Sequence, residues 1–203
     1  MITLAFVSQK GGAGKSTLAA NIAAYAASNG IKTAILDVDQ QASISAWHSS
    51  RDDDSITLIP THPPLLAKHV SQCESKGYQL CVIDTPPHNS TAAANAISAA
   101  TLSIIPVRPS AFDLVAAQAT FDLLAQNGCR GGAVINAVPS GTKVISDATQ
   151  FVNDAGIQII GTTGQRIAYQ HATTGGLGVT EYEPSGTAAK EIKQLWEKIE
   201  ALI

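Results

Sequence analysis

The run that most constrains this chain is Gln9-Lys10-Gly11-Gly12-Ala13-Gly14-Lys15-Ser16-Thr17, set between an apolar stretch and a small-residue amphipathic one. Ile2–Ser8 reads as a buried strand and Lys15–Ser28 as a helix, so the glycines fall at a strand-to-helix junction. Glycine there lets backbone amides turn inward toward an anion without Cβ obstruction, and the helix adds its positive amino terminus. Lys15 is placed to reach the β- and γ-phosphates of a nucleotide, and the Ser16 hydroxyl to ligate Mg²⁺. The general pattern GxxxxGK[ST] asks for glycine where this chain has Gln9.

Downstream, short apolar runs alternate with amphipathic ones. Strands are expected at Thr33–Leu36, Ile56–Ile59, Leu80–Ile83, Leu102–Val107, Ala133–Val138 and Ile157–Ile160. Helices are expected at Ser43–Ser50, with Ser43 as N-cap, and at Leu65–Ser75, Thr91–Ala100, Phe112–Gln126, Val144–Ala155 and Thr187–Leu202. This alternation implies βαβ units: an α/β, doubly wound, mostly parallel sheet of about seven strands with helices on both faces. Hydrophobic residues make up 45% of the 203 residues and aromatics only 5%, which suits small helices on a parallel sheet better than a β-sandwich. No repeat or linker divides residues 1–203, so one domain is expected.

Two carboxylate sites fall where such a sheet gathers ligands, at the carboxyl ends of strands. Asp37-Val38-Asp39 closes the second strand, and Leu80-Cys-Val-Ile-Asp84-Thr-Pro-Pro87 is an apolar strand ending in an acid. A carboxylate at Asp84 holds Mg²⁺ through a water, because the ion keeps several waters in its octahedron. Neither acid site is specific alone. Together with the glycine-rich loop, in this order and spacing, they are.

Lys10-Gly-Gly-Ala-Gly-Lys15-Ser16 resembles the deviant Walker A motif of ParA/MinD-type ATPases, which carry a second, signature lysine near the motif's start; Lys10 fills that place. Asp37-Val38-Asp39-Gln40-Gln41-Ala42-Ser43 resembles the family's DxDPQ segment, with Gln40 where proline is usual. The strand ending at Asp84 resembles Walker B. Ile104-Ile-Pro-Val-Arg-Pro-Ser-Ala-Phe-Asp113-Leu resembles an IIPVxPSxxDL stretch near the family's dimer interface; read alone, it is also a Pro-rich loop capped by Asp113. Gly164–Ala172 and Val179–Pro184 are similar to small plasmid-partition ParA proteins. The likeness therefore covers nearly the whole chain.

That resemblance implies a cytoplasmic, nucleoid-associated P-loop ATPase that hydrolyses ATP to ADP and phosphate. Lys10, Gly11, Gly12, Ala13, Gly14, Lys15, Ser16 and Thr17 would bind ATP or ADP, and Ser16, Asp37 and Asp84 would serve Mg²⁺. Lys10, Lys15 and Asp39 would be catalytic, with Lys10 reaching across a dimer and Asp39 directing the attacking water. Asn136 stands where relatives often contact adenine; read alone it is equally a turn former. The implied partners are a second copy in an ATP-dependent homodimer, nonspecific DNA, and a stimulating ParB-like protein or cargo adaptor. The implied role is segregation of plasmid or chromosomal DNA. The alternatives are positioning of a protein cargo, such as a carboxysome or chemotaxis cluster, and MinD-like membrane cycling.

A net charge of −3 excludes a uniformly basic nucleic-acid coat, so DNA binding would need a local patch, with Arg166, Lys190 and Lys193 the first candidates. The loop begins within ten residues of Met1, so no amino-terminal DNA-binding extension is expected. The final helix carries Lys190, Lys193 and Lys198 but also Glu191, Glu197 and Glu200, with Trp196 on its apolar stripe. It is expected to pack on the domain, with no stable membrane association, and no run reaches the roughly eighteen apolar residues of a span. Cys73, Cys81 and Cys129 lack zinc spacing or a cluster-binding arrangement, which argues against kinship with nitrogenase iron proteins. Cys81 reads as a small core hydrophobe. No substrate site beyond the nucleotide is visible, as a dethiobiotin synthetase would require. The five histidines read as surface or loop residues, and Arg51-Asp-Asp-Asp54 as a solvated turn.

Overall fold

A computed structural model describes residues 1–41, 43–140 and 144–203; Ala42 of the acidic segment lies outside the described residues. Among the described residues seven strands form one sheet: β1 Ile2–Phe6, β2 Thr33–Asp37, β3 Ile56–Pro60, β4 Leu80–Asp84, β5 Leu102–Val107, β6 Gly131–Val138 and β7 Gln158–Gly164. Their order is β3-β2-β4-β1-β5-β6-β7, and every pairing is parallel. The α/β expectation holds, with a sheet parallel throughout.

Both faces of the sheet are covered, and the strand period of two sorts the side chains between them. Leu4, Phe6, Leu80 and Val82 face one core, while Ala5, Val7, Cys81 and Ile83 face the other. The first core is roofed by α1 Lys15–Ser28, α2 Ser43–Ser49, α7 Ile167–Thr174, α8 Val179–Tyr182 and α9 Thr187–Glu200. The second is roofed by α3 Leu66–Ser75, α4 Ser90–Ala99, α5 Ala111–Gln126 and α6 Val144–Asp154. Helix α1 buries Leu18, Ala19, Ala20, Ile22, Ala23, Ala24 and Ala26. Its alanines let it lie close to the sheet, which fixes the glycine-rich loop at its start.

The α9 stripe packs as expected: Ile192, Leu195, Trp196 and Ile199 are buried, and Trp196 meets Tyr25 of α1 edge-on with ring centroids 6.2 Å apart. Among the described residues no helix is long and apolar enough to cross a membrane. Cys81 is buried in the core, and none of the five histidines is buried.

Several local expectations are corrected. Ser43 is the first residue of α2, not a flanking cap. Strand β7 continues past Ile160 to Gly164, with Thr162 paired to Ile135 and Gly164 to Val138 of a β6 whose register shifts twice. Helices α7 and α8 span eight and four residues, too short for an apolar period to show. Arg51 is no solvated residue. Its side chain is 1% exposed, bonded to Glu181, Asp53 and the Gly176 carbonyl, and it lies over Trp47. It ties the loop after α2 to α8, a contact between segments 130 positions apart.

Candidate functional site

The strand register brings three loops together. Phe6 of β1 and Asp37 of β2 both pair with Asp84 of β4, so the chain leaves all three strands at one place. Gly12 and Gly14 take φ of 74° and 102°, left-handed values that suit glycine. They turn the backbone from β1 into α1.

Behind this loop stands Asn136, at the end of β6. Its Nδ2 donates to the Ala13 carbonyl at 2.6 Å, and its Oδ1 accepts from the Thr163 hydroxyl at 2.5 Å. A Cβ on Gly14 would lie 2.0 Å from Asn136 Nδ2. Asn136 therefore braces the loop, a role invisible in sequence because its partners lie 123 and 27 positions away. Gly14→Ala is expected to destabilise the protein by about 3 kcal/mol or more, from strain plus overpacking. Thermal melting checks this; an unchanged Tm would show that the loop yields freely.

The acids divide their work. Asp37 is buried, with Oδ1 accepting the Asp39 backbone N–H at 3.0 Å and Oδ2 accepting the Ser45 hydroxyl at 2.7 Å. It braces the loop that carries Asp39. Asp39 is half-buried and accepts the Gln41 N–H through Oδ1 at 2.9 Å.

Asp84 is fully buried, and its Oδ2 accepts from Ser16 Oγ at 2.6 Å while its Oδ1 has no hydrogen-bond partner among the described residues. Burial pushes its carboxyl up to about 7, opposed by the Ser16 bond and by Lys15, with Asp37 and Asp39 adding to the rise. A desolvated carboxylate with an orphaned oxygen beside a hydroxyl suits a hard divalent cation, whose charge would favour the ionised form. Ser16 and Asp84 therefore fit Mg²⁺.

Lys15 is 6% exposed, and its Nζ donates to the Lys10 carbonyl at 3.5 Å. Burial lowers its pKa against the raising pull of Asp84 and Asp39, so the ammonium is short of solvent and suited to phosphate. Beside the loop lies a cleft of about 230 Å³ bordered by Gly12, Gly14, Arg108, Asn136, Gln165 and Tyr169. Ala137 on its rim has φ 52°, a strained value for a residue with a Cβ. The cleft opens on the flank of the loop that carries Lys15 and Ser16. Arg108, Gln165 and Tyr169 lie in stretches that the sequence singled out, but nothing in those stretches set them beside the glycine-rich loop.

Lys10 goes elsewhere. Its Nζ lies 2.7 Å from Asp113 Oδ1, with the two side chains 35% and 13% exposed. Asp113 also accepts from the Ser110 hydroxyl, and Ser110 caps α5 by accepting the Asp113 N–H at 3.3 Å. Burial raises the Asp113 pKa, but the bonds from Lys10 and Ser110 and the nearby Arg108 outweigh it and hold the carboxyl below its usual value. Of the expected DNA-facing cations, Arg166 is neutralised: its Nε and Nη2 donate to Glu191 Oε1 at 2.8 and 2.6 Å. Lys193 donates to the Pro184 carbonyl at 3.0 Å, and Lys190 is exposed.

Residues 4–201 match a family model described as the CobQ/CobB/MinD/ParA nucleotide binding domain. The maintenance of carboxysome distribution protein A of Halothiobacillus neapolitanus is 24% identical over 210 residues, covering 97% of this chain and 95% of that protein. The chromosome-partitioning ATPase Soj of Thermus thermophilus is 28% identical over 140 residues, 55% of this chain and 56% of Soj, so the match spans about half of that relative. In structure, the septum site-determining protein MinD of Pyrococcus horikoshii, complexed with Mg-ADP, superposes with a TM-score of 0.84. That likeness has 18% identity and covers 99% of this chain and 96% of MinD, so it speaks for the fold.

Proposed function

Since this chain belongs to the CobQ/CobB/MinD/ParA nucleotide-binding family, we propose that it is a ParA-type ATPase whose ATP-bound form is a homodimer and whose hydrolysis step releases it. The observation that carries this reading is the separation of its two loop lysines. Lys15 lies inside the loop next to Ser16 and Asp84, while the half-exposed Lys10 side chain turns out to Asp113 of α5. Lys15 and the loop amides hold the phosphates of the chain's own nucleotide. Lys10, whose ammonium points away from that site, would leave Asp113 to serve phosphates from outside, as a cation supplied by a second protomer.

Ser16 and Asp84 would hold Mg²⁺, which when bound would neutralise phosphate charge. Asp39, on the loop braced by Asp37, orients the attacking water toward the γ-phosphate. Asn136 holds the loop and also borders the cleft, where its second amide hydrogen is available to the base. Phe112 and Val115, 85% and 70% exposed on the first turns of α5, give a second protomer an apolar patch beside Lys10.

The track is nonspecific DNA, bound by the dimer, with a ParB-like partner or cargo adaptor stimulating hydrolysis. Dimerisation aligns two weak patches and multiplies avidity. Lys190 and Lys193 remain candidates, whereas Arg166, paired to Glu191, contributes little net field. A protein cargo is the second reading, favoured by the near full-length match to the carboxysome-distribution protein. Membrane cycling gains no support, since the apolar stripe of α9 is buried against α1 and the sheet.

Light scattering with Mg²⁺-ATP against Mg²⁺-ADP tests the dimer, and gel retardation of long duplex DNA tests the track. A dimer with ATP alone is expected, retarding DNA at low salt and losing it steeply as salt rises. Absence of the dimer sinks the proposal. A dimer that ignores DNA at low salt removes the track and leaves the protein-cargo reading.

A further inference from the structure

We propose that Arg108 is a further nucleotide-binding residue, its guanidinium pairing with the phosphates of the nucleotide held by its own chain. This rests on the reading of the glycine-rich loop and its flanking cleft as a nucleotide site. Arg108 stands at the position that the IIPVxPSxxDL pattern leaves open, so the resemblance gives it no role.

Strand register decides where it lies. Val107 of β5 pairs with Ile135 of β6, so Arg108 and Asn136 follow side by side at the carboxyl edge of the sheet. Both border the cleft on the flank of the loop, together with Gly12 and Gly14. Arg166 borders it too, but its charge is spent on Glu191. Arg108 is half-buried, and no carboxylate among the described residues forms an ion pair with it. Asp113, whose carboxyl the Arg108 charge helps to hold low, has one oxygen on Lys10 and the other on the Ser110 hydroxyl. A partly desolvated guanidinium beside a phosphate loop is therefore left without an anion. Its planar fork can take two phosphate oxygens at once, which an ammonium cannot. Pro109 follows directly and disfavours a helical backbone at Arg108, and the Ser110 N–H donates to the Arg108 carbonyl at 2.9 Å. The backbone is thus set in advance, and binding has only the side chain to order. Lys15 meets the phosphates from within the loop, and Arg108 from the side of the cleft.

Calorimetric titration with Mg²⁺-ADP tests this on one chain's own site, without calling on the ATP-bound dimer. Arg108→Gln, which keeps a polar side chain and removes the charge, is expected to raise the ADP dissociation constant by about tenfold at low salt. Screening is expected to shrink that ratio to about threefold at about 0.5 M salt. Arg108→Lys, which keeps the charge and loses the fork, is expected to stay within about threefold of the unaltered protein. Circular dichroism confirms that each variant is folded. A folded Arg108→Gln protein that binds ADP within about twofold of the unaltered protein at low salt overturns the proposal. A loss that salt leaves unchanged, or that Arg108→Lys shares in full, overturns it as well, because packing against the base or ribose would behave in that way. If the unaltered protein binds no ADP, the nucleotide reading itself fails, and the role of Arg108 with it.

Discussion

Lys15→Ala is expected to lower affinity for both ADP and ATP by at least about a hundredfold, because the phosphates lose their buried cationic partner. The Lys15 ammonium is 6% exposed and desolvated, so its electrostatic contribution to a bound phosphate is screened little by water. Fluorescent-nucleotide titration reads the effect. The fold should survive, since the change removes a charge whose burial is unfavourable. Affinity within about threefold of the unaltered protein, in a folded variant, would overturn the assignment of this loop.

The second large effect concerns hydrolysis. Lys10→Ala and Asp39→Ala are each expected to reduce ATPase activity by about a thousandfold, Lys10 as a cation acting from outside and Asp39 as the group directing water. Mixed in equal amounts they should recover about a quarter of the unaltered rate. Half the dimers formed are heterodimers, and each has one site joining an intact Asp39 in cis with an intact Lys10 in trans. The Lys10 ammonium, turned out to Asp113 of α5 while the Lys15 ammonium stays inside the loop, is what makes this crossing geometrically sensible. A crosslinking control shows whether heterodimers form. Heterodimers without recovered activity mean that Lys10 does not act across the interface.

Local chemistry made much of this molecule legible. The glycines at 12 and 14 answer a left-handed backbone, and Lys15–Ser28 begins and ends where its small-residue pattern does. The strand ending in Asp84 is buried on both faces, as its unbroken apolar run requires. Such features depend on neighbours in the chain, so one sequence displays them.

What escaped were contacts between distant segments. Nothing near Asn136 shows that it braces Ala13, nor near Arg51 that it is sealed against Glu181. Arg166 looked like a surface cation until packing set Glu191 of α9 against it. Asp113 read as the cap of a Pro-rich loop, whereas Ser110 is the cap of α5, and the hold of Asp113 on Lys10 across more than a hundred positions had no local sign.

By itself, then, the sequence determined the α/β alternation, the phosphate loop and the order of the acids after it, because backbone sterics and hydrophobic period act within a few residues. Which charges are free and which are spent was decided only by the tertiary structure. A parallel sheet joins its strands through long crossovers, so the groups that meet at its carboxyl edge are set by strand order and register, as when Asp37 and Phe6 both come to lie beside Asp84.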